Sequence, residues 1–174
     1  MSAKRGAPPA RLRRWSDRAV EMGAKAAKVI PASSVKTAAW VRMKCRYGCT
    51  GYGGCLTCPP YSPTPEETAR MLAEYKWAVL IETQREGRRE LAADLEREIF
   101  LAGYYKAFAL ASGPCRLCRT CDFEGGCRHN DRARPAMEAC GIDVFTTVRR
   151  HGFTLDVVTD YEQEGHFFCM VLIE

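Results

Sequence analysis

Apolar residues along this chain follow two rhythms. Residues 77–81 and 107–111 are apolar without a break, as strands are when both their faces are covered. Residues 35–43 read as a further strand, and 153–159 and 167–173 as two more that form a hairpin across 160–165. Between them the spacing turns helical. Leu12, Trp15, Ala19 and Met22 place a helix over 10–24, and Leu91, Leu95 and Ile99 one over 88–102, with Gly103 just past its end. Thr64, Pro65 and Glu67 spell a helix start, with an N-cap, a proline at the first helical position and a glutamate reaching back. That helix runs to about residue 75 and buries Met71, Leu72 and Tyr75. Asn130 and Asp131 cap a short helix through Met137 and Glu138 that closes near Gly141, and another helix covers 143–150.

The resulting order is strand, cysteine loop, helix, strand, helix, strand, cysteine loop. Strands joined by single helices normally run parallel. The expected fold is therefore a single α/β domain, with a mixed, mainly parallel sheet, flanking helices and two cysteine loops at one sheet edge. Open α/β sheets place their ligands at the carboxyl ends of their strands, so the two loops are expected to meet in space. Residues 1–30 form a basic N-terminal arm and helix, and 31–174 the α/β domain that binds metal.

Charge is concentrated in that arm. Residues 1–28 hold eight basic side chains (Lys4, Arg5, Arg11, Arg13, Arg14, Arg18, Lys25, Lys28) against Asp17 and Glu21, a net of +6 where the whole chain carries +5, so the basic excess belongs to this stretch. The arm reads as a solvated tail leading into an amphipathic helix, and nucleic acid is not an expected partner. Nothing resembles a signal peptide or approaches the roughly 20 apolar residues of a membrane span. The expected location is the cytoplasm. There, ten cysteines point to metal in preference to disulfides.

Eight of the ten cysteines form two quartets, Cys45-x3-Cys49-x5-Cys55-x2-Cys58 and Cys115-x2-Cys118-x2-Cys121-x5-Cys127. Three cysteines at successive two-residue gaps open a bacterial ferredoxin run, whereas zinc sites more often use two separated Cys-x2-Cys pairs. The spacing thus predicts two [4Fe–4S] clusters, with zinc as the alternative. Pro59 after Cys58 matches the Cys-Pro step that closes a ferredoxin run, so Cys58 or Cys127 could serve the other loop's cluster. Gly48, Gly51, Gly53, Gly54, Gly125 and Gly126 let backbone N–H groups turn toward a bound anion. Arg116, Arg119 and Arg128 would offset its charge, although solubility explains them equally well. Tyr47, Tyr52 and Tyr61 border the first loop and would shield a cluster from water. Cys140 and Cys169 lie outside the quartets and read as packing residues. His129 reads as a hydrogen-bonding side chain, and His151 and His166 receive no role.

Two stretches also carry a resemblance. Cys45-Arg-Tyr-Gly-Cys49, Tyr52-Gly53 and Cys58-Pro-Pro-Tyr-Ser-Pro-Thr-Pro-Glu-Glu resemble the first signature of a family of small, cysteine-rich predicted metal-binding proteins of unknown function. Cys115-Arg-Leu-Cys118-Arg-Thr-Cys121, Cys127-Arg-His and the run from Ala133 to Val144 resemble its second. The resemblance implies metal binding and no particular reaction. It also implies Cys45, Cys49 and Cys58 as the fixed thiols of the first loop and leaves Cys55 outside the pattern, whereas the Cys55-x2-Cys58 spacing favours Cys55 as a ligand.

Three functions follow. The leading one is electron transfer, or a redox accessory role, through two clusters with a redox partner protein. The second is an enzyme whose first cluster has three cysteines and one open iron, acting as a Lewis acid. The third is a structural zinc protein that presents an interaction surface. Whether the chain is an enzyme, and in what oligomeric state, is not decided by the sequence. It contains no Ser-His-Asp order, phosphate-binding glycine loop or dinucleotide fingerprint to support hydrolase, kinase or nicotinamide chemistry.

Overall fold

The computed structural model describes residues 7–84, 90–160, 162–163 and 165–174. Lys4, Arg5 and Arg88, named above for the basic arm and a helix start, lie outside them. The helices are α1 (Ala10–Glu21), α2 (Ala39–Gly48), α3 (Pro65–Ala73), α4 (Leu91–Leu101) and α5 (Val144–Arg150). The strands are β1 (Ala26–Pro31), β2 (Trp77–Thr83), β3 (Phe108–Leu110) and β4 (Phe167–Ile173), and short 3-10 turns occupy Ala32–Ser34 and Glu138–Cys140.

The four strands form one sheet in the order β1-β2-β4-β3, and every neighbouring pair is antiparallel. This corrects the expected mainly parallel sheet. Two facts account for the difference. Residues 35–43 do not form a strand of the sheet: they hold an isolated bridge from Thr37 to Ile142 and then α2, so the first strand–helix–strand unit does not exist. Strands β2 and β3 do run the same way, but β4 lies between them and opposes both. Unbroken apolar runs report burial on two faces, and an antiparallel sheet covered on both sides satisfies that condition equally well. The expected hairpin also reduces to one strand, since 153–159 forms none, while β1 arises within the segment read as a basic arm.

Alternation along β2 and β4 feeds two cores. On one face Val79, Ile81, Val171 and Ile173 pack against Leu12, Trp15 and Ala19 of α1 and Leu91, Leu95 and Ile99 of α4. On the other, Ala78, Leu80, Met170 and Leu172 meet Leu72 of α3, Met137, Ile142, and Val144 and Val148 of α5. Cys140 and Cys169 are buried in these cores, one on each side. The α3 capping box forms as read: Glu67 N–H donates to the Thr64 hydroxyl at 3.2 Å, and Thr64 N–H to the Glu67 carboxylate at 2.7 Å. Asp143 caps α5, accepting from Thr146 N–H at 2.9 Å.

His151, at the end of α5, links that helix to β1. Its Nε2 lies 2.7 Å from the Ser34 hydroxyl, and its carbonyl accepts from Lys28 Nζ at 2.8 Å. Burial, followed by the nearby Arg150 and Lys28, holds the imidazole below its ordinary value of 6.5. The unfolded chain therefore binds this proton more readily than the folded one. Stability contributed by neutral His151 is complete above the unfolded value and declines as pH falls from there through the lower folded value. Urea titrations from roughly pH 8 to 5 will show a downward slope that shrinks in His151→Gln. Equal slopes in the two proteins would contradict this account.

Candidate functional site

Each cysteine loop is closed at its base by specific hydrogen bonds. In the first, one Arg42 nitrogen on α2 donates to the Ser62 hydroxyl at 2.9 Å, the Pro63 carbonyl at 3.1 Å and the Ala139 carbonyl at 2.8 Å. The buried Ser62 hydroxyl donates to the same Ala139 carbonyl at 2.6 Å. This network ties α2 and both ends of the loop to the 3-10 turn before Gly141. Inside the loop Gly53 N–H donates to Pro59 O at 2.8 Å, and Cys58 O accepts from Tyr61 and Ser62. The Pro59–Pro60 peptide is cis.

The second loop leaves β3 and returns beside it. Ala111 N–H donates to Pro135 O at 2.8 Å, and Met137 N–H donates to Ala111 O at 3.0 Å. Arg134 anchors the return with a two-pronged pair to Glu96, both bonds 2.6 Å, and the same carboxylate accepts from Ala109 N–H on β3 at 2.7 Å. Arg132 adds an outer contact to Glu90 at 2.7 Å.

The loops meet, although by another route than parallel strands. The first is delivered by α2 and the second by β3. The Tyr61 and Phe123 rings touch across the junction with centroids 5.3 Å apart. Cys55 is buried, and Cys58 and Cys115 are half-buried beside it. Burial alone would raise the Cys55 thiol, but hydrogen bonds from the side chains of Thr57 and Cys58 and from the backbone of Thr57 and Cys115 bring it below its ordinary range. Its partner moves the other way. Burial, donation to Cys55 and the neighbouring Cys55, Cys49 and Cys45 sulfurs raise Cys58. Burial also raises Cys115, which lies within the fields of Cys55, Cys121 and Cys127.

The remaining thiols diverge. Cys45 directs its Sγ toward the Glu138 carbonyl at 3.9 Å, and burial raises it. Cys49 is exposed and accepts from Gly51 N–H at 3.4 Å. In the second loop, local turns fix the backbone between the cysteines: Asp122 accepts from Gly125 N–H at 2.8 Å, and Arg128 donates to Thr120 O at 3.1 Å. Cys118, Cys121 and Cys127 stay half-buried around those turns.

Among the described residues, no set of three or more Cys, His, Asp or Glu side chains is placed to hold a metal ion. That finding corrects the expectation of two [4Fe–4S] clusters and with it electron transfer through them, the open-iron enzyme and the structural zinc protein. Close spacing along the chain brings thiols into one neighbourhood. It does not by itself aim three of them at one point.

Tyr47, Tyr52 and Tyr61, read as a shield, are exposed. His166 has a partner that its sequence position did not announce: its Nδ1 lies 2.7 Å from the Glu82 carboxylate on β2, and Lys25 approaches the same oxygen at 3.4 Å. Beside Cys45 and Cys49 opens a cavity of ≈ 590 Å³ between α2, α5 and the start of β4. Glu138 lines it, keeping open surface toward the cavity while protein crowds its other sides, and that desolvation raises its carboxyl. The cavity has no signature in the sequence because its walls come from five separate segments.

Fold and site together define an antiparallel α/β protein with two touching cysteine loops, one of which holds Cys55 and Cys58 in a single tight turn. The chain belongs to the family described as "Predicted metal-binding protein (DUF2284)", whose model matches residues 28–173. No curated protein and no solved structure matches it. No helix among the described residues is long and apolar enough to cross a membrane.

Proposed function

We propose that the chain holds a soft monovalent metal ion, of the Cu(I) type, between the sulfurs of Cys55 and Cys58. The observation that carries this reading is the tight turn that joins the two cysteines: Cys58 N–H donates to Cys55 O at 3.0 Å, with Cys55 buried and Cys58 half-buried. Soft thiolates select Cu(I), and an ion that accepts two ligands does not require the three converging donors that are lacking. The family's description, metal binding without a stated metal, is compatible with such a site. Thr57, whose hydroxyl lies 3.4 Å from the Cys55 sulfur, would hold it in place, and Cys58 would surrender its proton as the ion binds. Affinity therefore rises with pH. The other loop cysteines (Cys45, Cys49, Cys115, Cys118, Cys121 and Cys127) would serve as exchange ligands that pass the ion between the pair and a partner protein.

Anaerobic titration of the reduced protein with Cu(I), against a chromophoric Cu(I) chelator, tests the pair. One equivalent is expected to bind. Cys55→Ser and Cys58→Ser should each weaken it by about a hundredfold or more, while Cys127→Ser leaves the affinity within about threefold. Unchanged affinity in Cys55→Ser would remove the pair from consideration, as would a wild-type protein that takes no copper from the chelator.

A further inference from the structure

The cavity beside α2 lies outside the copper pair, since neither Cys55 nor Cys58 lines it, although Cys45 and Cys49 of the exchange set do. Its volume of ≈ 590 Å³ falls within the range of small-molecule sites, and its walls are mainly apolar. Val144, Phe145 and Phe167 form part of them. The rim is unusual for a monomer's surface. Trp40, Val157 and Val158 are 51%, 69% and 51% exposed, so apolar side chains surround a hole in place of covering a core.

The charges around the cavity are not equivalent. Asp156 is held by Arg149 at 3.1 Å, and His166 is paired with Glu82 at 2.7 Å. Glu138 also lines the cavity, and its backbone carbonyl faces the Cys45 sulfur at 3.9 Å. Lys44 remains: it lies one turn along α2 from Trp40, and no ion pair to it is present among the described residues. A ligand that filled this space would bury its body against the valines and phenylalanines and leave one end beside an unpaired ammonium.

We propose that this cavity binds a small amphipathic organic anion, with an aromatic or aliphatic body inside and a single acid group at Lys44. The body supplies most of the affinity by burying apolar surface, and the ammonium selects its orientation and sign.

The probe is 8-anilinonaphthalene-1-sulfonate, an aromatic body with one sulfonate, with decanoate as competitor. Its fluorescence should rise saturably with a stoichiometry of one, and decanoate should displace it. Val157→Glu changes a side chain that is 69% exposed, so the fold tolerates it, yet it places a carboxylate at the rim. It should weaken the probe by about tenfold or more. Lys44→Glu should weaken it by a similar factor and Lys44→Arg by little, whereas neutral 1-anilinonaphthalene should bind wild type and Lys44→Glu alike. Far-UV circular dichroism of each variant separates loss of the site from loss of fold. Saturable binding unmoved by either glutamate would place the probe elsewhere and overturn the proposal, and so would its absence in the folded wild type. Equal response of the charged and neutral probes to Lys44→Glu would overturn the assignment of the acid group. Copper binding by Cys55 and Cys58 is unaffected by any of these outcomes.

Discussion

Arg134→Ala is expected to cost about 3 kcal/mol or more of folding stability, among the largest effects of any single side-chain truncation in this protein. The Arg134 and Glu96 side chains are each only 13% exposed, and they join through two bonds of 2.6 Å. Removing the guanidinium strands a nearly buried carboxylate that, among the described residues, has only the Ala109 N–H left as a hydrogen-bond partner. Breaking one side of such a pair costs more than the pair contributes, since the desolvation of the survivor is no longer offset. For a chain of this size the thermal midpoint should fall by roughly 6–12 °C. Arg134→Lys should recover only part of the loss, because an ammonium cannot supply two parallel bonds. Glu96→Gln with Arg134→Ala should be less damaging than the sum of the two changes, since the double variant leaves no buried charge. A midpoint within about 2 °C of wild type for Arg134→Ala would show that solvent reaches the carboxylate.

This pair also shows where sequence reading ends. Arg134 and Glu96 are 38 residues apart, and nothing local in either segment announces the other. Local chemistry was legible. Thr64, Pro65 and Glu67 specify a helix start within four residues, and the capping box forms as those side chains require. Leu91, Leu95 and Ile99 mark one face of a helix, and all three are buried on it. Strand existence was legible in residues 77–81, whose apolar run is a property of the segment itself.

Strand direction was not, because it depends on which neighbour each strand finds. The insertion of β4 between β2 and β3 is a long-range event that leaves no mark on either run. Val35, Thr37, Ala39 and Val41 alternate as a strand would, yet residues from Ala39 onward wind into α2, which starts at Ala38 without a side-chain cap. Trp40 and Met43 are then exposed, and Val41 alone of that helix is buried. Strand β1 is short and carries Lys28 and Pro31, both weak strand signals, and it is held by β2 and by contacts to α5.

The cysteines divide along the same line. Their grouping into two loops was plain in the spacing, and the loops do touch at Tyr61 and Phe123. Where each sulfur points depends on Arg42, Thr57, Asp122 and Arg128, which fix the backbone around them. Ligand spacing is a statement about distance along a chain. Coordination requires direction as well, and a motif does not carry it.

Gly141 provides the second large effect, and it comes with its own control. This residue has φ of 74° and sits directly against the first residue of α3: an added Cβ would lie 2.5 Å from Pro65 Cγ and 2.9 Å from Pro65 Cβ. Neither partner can yield freely. Pro65 is a rigid ring that opens α3, and Gly141 O accepts from Ala38 N–H at 2.9 Å to start α2. Gly141→Ala should therefore combine the left-handed penalty of about 1–2 kcal/mol with an overpacking penalty of about 1–3 kcal/mol. Gly152 has the same φ of 74°, but the nearest atom to an added Cβ is Lys28 Nζ at 3.5 Å, an ordinary van der Waals contact. Gly152→Ala should carry the conformational penalty alone. Urea midpoints of the two variants isolate the contact with Pro65, with Gly141→Ala expected to lose about twice as much or more. Because Gly141 also follows Ala139, whose carbonyl Arg42 binds, displacing it should loosen the first cysteine loop, and Cys45 and Cys49 should react faster with a thiol reagent in the folded variant. Equal losses at the two glycines would mean that Pro65 and α3 shift at no cost, so that the join between this helix and the turn behind the cysteines is soft.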